Sequence, residues 1–125
     1  MKSISTDTAP TPAGHYSQAV VCGGVIYVAG QLAIDPASPD APAGDAATQT
    51  RQALANVEAV LKAAGSSLAQ VLQMTIYVSD ISMWGEVNET YAAIMGDWKP
   101  ARAIVPVNAF KKDFILEIQA IAALS

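Results

Sequence analysis

The sequence predicts an α+β fold in which two helices cover one face of a sheet, with the chain order β-β-α-β-α-β-β. Three observations point to it. β-Branched and alternating runs recur near residues 19–32, 71–79, 102–107 and 114–123. Two stretches with helical periodicity, near 45–64 and 83–96, separate them. Gly, Pro, Asp and Asn cluster between these segments, where turns belong.

The opening "DTAPTPAG" reads as an extended lead-in punctuated by proline. In "YSQAVVCGGVIYVAGQLAI", two β-branched runs flank Gly23-Gly24. A two-residue Gly-Gly connection signals a hairpin, because the tight primed turns need positive φ. Closing it there sets Cys22 opposite Val25 and Ala19 opposite Val28. Gly30 is expected after the second strand, where a backbone without Cβ can approach another group. After the loop "DPASPDAPAG", Asp45 is placed to cap a helix reaching about Ala64, with Leu54, Val57, Leu61 and Ala64 on one face. Gly65 is the expected residue just past its end.

"VLQMTIYVSD" alternates: Leu72, Met74, Ile76 and Val78 point one way, Gln73, Thr75, Tyr77 and Ser79 the other. A second helix follows from about Met83 to Gly96, with Trp84, Val87, Tyr91, Ile94 and Met95 as its apolar stripe. The last two strands, about Arg102 to Val107 and Phe114 to Ala123, are expected to pair as a hairpin about Phe110. That register sets Ile104 opposite Glu117 and Arg102 opposite Gln119. Arg102 and Glu117 then become diagonal neighbours on one face. An ion pair stapling two strands accounts for such spacing as readily as a functional site does.

The 125 residues correspond to one domain, 1–125. Hydrophobic residues make up 52% and charged residues 14%, a balance that favours a homo-oligomer hiding apolar surface between subunits. With a net charge of -4 and no basic cluster, nucleic-acid binding is not expected. No apolar run approaches a membrane span, and the N-terminus lacks an apolar signal core, so the expected location is cytoplasmic. The single histidine, His15, reads as a loop residue without metal-binding partners, and Cys22 reads as a small hydrophobe. Trp84 and Trp98 read as packing residues.

The segments "GHYSQAV", "VIYVAGQL", "QTRQALANVEAVLKAAGSSLAQVLQMTIYVSD", "VNETYAAIMGD" and "KPARAIVPV…LEIQAIA" together resemble the reactive intermediate deaminase (Rid) family, also called YjgF-type proteins, over nearly the whole chain. The resemblance implies a chorismate-mutase-like α+β domain that assembles as a homotrimer around a central barrel, with pockets between subunits. It implies cofactor-free and metal-free hydrolysis of 2-imino acids or their enamines to 2-keto acids and ammonia. Arg102 matches the arginine that binds the substrate carboxylate, and Glu117 the acid that places water. Tyr16, Ala29, Gly30 and Ile104 match pocket positions, and Asn88 is a further candidate.

The chain departs from the common pattern at His15 (usually proline), Ala29 (often serine), Ile104 (cysteine in the best-known members), Gln119 (often acidic) and in "FKKD", which replaces a Leu-Pro turn. These departures leave two other readings open. One is a non-catalytic protein that binds small carboxylates. The other is a pathway-specific enamine deaminase, such as one acting on an aminomuconate-type compound. Ribonuclease activity fits the acidic charge and lone histidine poorly.

Overall fold

The computed structural model describes residues 1–124. Among them, six strands form one sheet: β1 (Lys2–Ile4), β2 (Ala19–Cys22), β3 (Val25–Leu32), β4 (Val71–Val78), β5 (Ala101–Pro106) and β6 (Leu116–Ala123). Their spatial order is β1-β2-β3-β6-β4-β5. Two helices, α1 (Ala46–Ala63) and α2 (Trp84–Met95), cover one face. The mixed α+β class is as the sequence predicts. The order gains one strand at the start, because Lys2–Ile4 pairs antiparallel with β2. Three residues carry too little periodicity to be recognised as a strand; the neighbour that pairs with them defines it.

The Gly23-Gly24 hairpin closes in the expected register, Cys22 opposite Val25 and Ala19 opposite Val28. Both glycines have positive φ, 59° and 79°. α1 begins where Asp45 accepts a hydrogen bond from the Thr48 backbone N–H at 2.9 Å, and that bond holds the Asp45 carboxyl below its ordinary range. It ends with Gly65 at φ 87°, where Ser66 N–H donates to Leu61 O and Gly65 N–H to Lys62 O. The face it buries includes Leu54, Val57, Val60 and Leu61, each worth about 1.5–3 kcal/mol of burial.

Three expectations are corrected. A register shift between Val71 and Gln73 turns Val71 inward and leaves Leu72 48% exposed, so the buried set is Val71, Met74, Ile76 and Val78. On α2 only Val87, Tyr91 and Met95 are buried; Trp84 and Ile94 stay exposed. Most consequential, β5 and β6 do not form a hairpin. β5 runs parallel to β4 at the sheet edge, and β6 runs antiparallel between β3 and β4. The continuous apolar face of β6 (Leu116, Ile118, Ala120, Ala122) explains this, since a central position buries it fully under the helices.

The opposite sheet face carries Tyr27, Thr75, Tyr77, Glu117, Gln119 and Ile121. Tyr77 donates from its hydroxyl to Gln119 Oε1 at 3.0 Å across the strands. Tyr27 is 51% exposed.

Buried polar side chains tie the loops to this frame. Asn56 of α1, 1% exposed, donates from Nδ2 to Leu32 O (2.9 Å) and Ile34 O (2.8 Å), fixing the chain where it leaves β3. Gln49 donates to Gly44 O and Asp113 O and accepts from Ile115 N–H. Removing Asn56 strands two carbonyls away from water. Asn56→Ala should therefore lower stability by about 1–3 kcal/mol in urea unfolding followed by circular dichroism.

Candidate active site

Arg102 is the second residue of β5 and pairs in register with Met74, which places it on the helix-covered face. Sitting on an edge strand, its side chain reaches the flank of α2. Its Nη1 donates to Asn88 Oδ1 at 2.8 Å. Its Cζ lies 4.9 Å from the Tyr91 ring centroid and 5.7 Å from that of Trp84. Trp84, Asn88 and Tyr91 fall four and three residues apart, so one helix face presents all three to the guanidinium.

Arg102 makes no ion pair with Asp or Glu among the described residues. The bond to Asn88 uses one of five N–H donors on the fork. The guanidinium opens on a cavity of about 370 Å³ between α2 and the start of β5. A half-buried cation, held by a neutral amide and two rings, is prepared for an anion from outside. Ile104, two residues along β5 on the same face, packs against the edge of the main core.

Glu117 lies in a second place. It is on β6, paired with Tyr77 on one side and Leu32 on the other, and points to the open face. β3 carries a register shift between Val28 and Gln31, so Gly30 sits inside the strand rather than after it. A Cβ on Gly30 would stand 2.7 Å from Glu117 Cδ; only glycine lets the carboxylate lie across the strand. Burial raises the Glu117 pKa, and Lys111 partly opposes this.

Tyr16, Gly30, Lys111 and Glu117 line one small cavity of about 50 Å³. Tyr16 accepts at its hydroxyl from Ala13 N–H at 3.3 Å and is half exposed. Ala29 contributes backbone: its N–H donates to Gln18 O, and its carbonyl accepts from Gln31 Nε2. Gln18, 2% exposed, binds Thr6, Ala9 and Pro10 and so straps the lead-in segment beside this cavity.

The candidate residues thus divide. Arg102, Asn88 and Ile104 stand on the helix face, whereas Tyr16, Ala29, Gly30 and Glu117 gather on the other side. The two cavities share no lining residue. The expected diagonal contact of Arg102 with Glu117 is overturned: β4 separates their strands, and they project from opposite faces. The hairpin assumption caused the error, since it inverts the facing of one strand relative to the other.

Sequence reasoning also missed the aromatic seat of Arg102. Trp84 and Tyr91 read as core stripe, yet an asparagine between two aromatics at helical spacing was the available signal. Among the described residues, no group of three His, Cys, Asp or Glu side chains could hold a metal ion. No helix there is long and apolar enough to cross a membrane.

The chain is similar to known proteins along its length. A RutC family protein of Pyrococcus horikoshii is 45% identical over 119 residues, covering 95% of this chain and 94% of that one. The 2-iminobutanoate/2-iminopropanoate deaminase of Rattus norvegicus is 43% identical over 121 residues, covering 97% and 88%. Among solved structures, RidA from the Antarctic bacterium Psychrobacter superposes with a TM-score of 0.92 at 36% identity, covering 98% of this chain and 99% of that one. The family model described as Endoribonuclease L-PSP matches residues 6–124. With that match and these relatives, the chain belongs to the L-PSP family, the family of the YjgF and Rid proteins.

Proposed function

We propose that this chain acts as one Rid-like domain that hydrolyses 2-imino acids, or the enamines that tautomerise to them, to 2-keto acids and ammonia. The observation that carries this reading is the Arg102 guanidinium, seated on Tyr91 and Asn88, without a protein carboxylate, and facing a cavity. Deaminase names among the relatives support the same chemistry. The acidic charge of -4 argues against RNA as substrate despite the family's description.

In the mechanism, Arg102 grips the substrate carboxylate with two parallel hydrogen bonds and so fixes the adjacent C=N carbon. Water adds to that carbon. Glu117 as carboxylate accepts the water proton and returns it to nitrogen, giving the carbinolamine; the carbinolamine hydroxyl then passes its proton to the amine by the same carboxylate, C=O forms as the C–N bond breaks, and ammonia leaves. A raised pKa brings the Glu117 carboxyl closer to neutrality, which suits proton exchange in both directions.

One chain does not bring Arg102 and Glu117 to the same substrate. We therefore place the Arg102 side of one copy against the Glu117 side of another, in the homotrimer that the family resemblance implies. The open face, with Tyr27, Tyr77 and Ile121, is of the mixed apolar character that such packing would cover. Substrate binding then depends on Asn88 and Ile104 from one copy and on Tyr16, Ala29 and Gly30 from the next.

Two outcomes test this. With 2-iminobutyrate generated in situ, Arg102→Ala should lower kcat/KM about 30- to 1,000-fold, with Arg102→Lys intermediate because a point charge cannot form the fork. Release of keto acid no faster than the spontaneous rate in wild type would defeat the reading.

For Glu117, a pKa raised in the folded state means that the fold retains this proton more tightly than the unfolded chain does. The Glu117 contribution therefore lowers stability as pH climbs from the ordinary value of 4.5 through the raised one, and stays lower above it. Glu117→Gln should be at least as stable as wild type at neutral pH, while kcat falls about 100-fold or more. The acid limb of the wild-type kcat/KM profile should lie above 4.5. A stability loss with kcat retained would assign Glu117 a structural role.

A further inference from the structure

We propose that the Arg102 cavity takes small dicarboxylic acids, with Lys99 holding the second carboxylate. This rests on the deaminase reading and narrows its substrates to imines of dicarboxylic amino acids.

Lys99 and Arg102 line the same cavity of about 370 Å³. None of the lining residues is acidic. Lys99, like Arg102, makes no ion pair among the described residues, where the pairs formed are Lys62 with Glu58 and Lys112 with Asp40. Within one chain, two cations therefore face one space that supplies no countercharge.

The lysine backbone is also well placed. Trp98 before it is tied down by its Nε1 donating to Val71 O at 2.9 Å. Pro100 after it restricts Lys99 to extended backbone. The ammonium sits on a flexible stem at a fixed root, beside the entry to β5.

A second observation points to a missing acceptor. Tyr91, only 6% exposed, lines the cavity, and its hydroxyl has no hydrogen-bond partner among the described residues. A buried phenol ordinarily finds one. Burial raises its pKa, so it stays a neutral donor. The side-chain acceptor of the cavity, Asn88 Oδ1, is already engaged by Arg102. The wall thus offers two cations to an oxygen-rich guest, beside a Tyr91 hydroxyl that is itself shielded and lacks an acceptor among the described residues.

One carboxylate satisfies the Arg102 fork. A monoacid leaves Lys99 without a role, whereas a diacid gives it the distal carboxylate. Ala92, Met95 and Trp98 offer apolar surface to the short carbon chain between them. The chemistry is unchanged: water adds across C=N, the C–N bond breaks, and ammonia leaves.

The test compares 2-oxoglutarate with 2-oxobutyrate by isothermal titration calorimetry, on wild type, Lys99→Ala and Lys99→Arg. Wild type should bind the diacid about tenfold more tightly. Lys99→Ala should bring the ratio to about one, and Lys99→Arg should keep it, as one exposed charge replaces another. Equal affinities in wild type, no binding of either acid, or a preference that survives Lys99→Ala would overturn the proposal.

A parallel assay with 2-iminoglutarate and 2-iminobutyrate formed in situ separates this proposal from the function on which it rests. Diacid preference in binding without acceleration of either imine sinks the deaminase reading and leaves the dicarboxylate site standing. Turnover of 2-iminobutyrate without diacid preference sinks the dicarboxylate site alone.

Discussion

The placement of β6 between β3 and β4 governs every other relation in the molecule. Its inward residues, Leu116, Ile118, Ala120 and Ala122, are buried beneath the helices, and Met74, Ile76 and Val78 of β4 continue the same surface. Burying this face is the largest favourable contribution available to the chain. With the centre of the sheet so occupied, β5 is left to the outer edge, parallel to β4, with α2 as the crossover between them. Arg102 therefore rises on the helix side at an edge, and Glu117 faces the other way from the interior.

That separation connects packing to chemistry. A guanidinium locked bidentate to a carboxylate of its own chain would have its fork taken before any substrate arrived. Here each keeps its charge unspent. Arg102 is steadied by an amide and two rings rather than by an acid. Glu117 lies against the bare backbone of Gly30 under a desolvation penalty. Both arrangements cost some local stability, and the apolar interior offsets it. Within one chain the result is two separate groups of polar residues, which the proposed pairing of copies would join.

The sequence made the local elements legible because each was written in short-range terms. Asp45 and Gly65 bracket α1 through capping and positive φ, and Gly23-Gly24 closes its hairpin without help from elsewhere. Long-range relations were less legible. Alternation in β5 and β6 is equally compatible with a hairpin and with two separated strands, since period 2 reports a face and not a partner. Leu72 was misplaced because a single extra residue beside Val71 inverts the pattern without altering composition. The β1 strand escaped notice because Lys2–Ile4 is a strand only through β2.

For the site, family motifs singled out Arg102 and Glu117, but the contact expected between them was wrong. The Trp84–Asn88–Tyr91 face shows why: a stripe at helical spacing has the same sequence signature whether it packs on a core or seats a cation. The account stands or falls on whether two copies of the chain share one reaction centre. Co-expressing Arg102→Ala and Glu117→Gln chains with different tags, and assaying oligomers that carry both tags, tests this directly. Shared sites in a trimer predict recovery of about a third of wild-type activity, because a ring of three that holds both kinds of chain has one junction pairing an intact Arg102 with an intact Glu117. Mixed oligomers as inactive as either parent would contradict it.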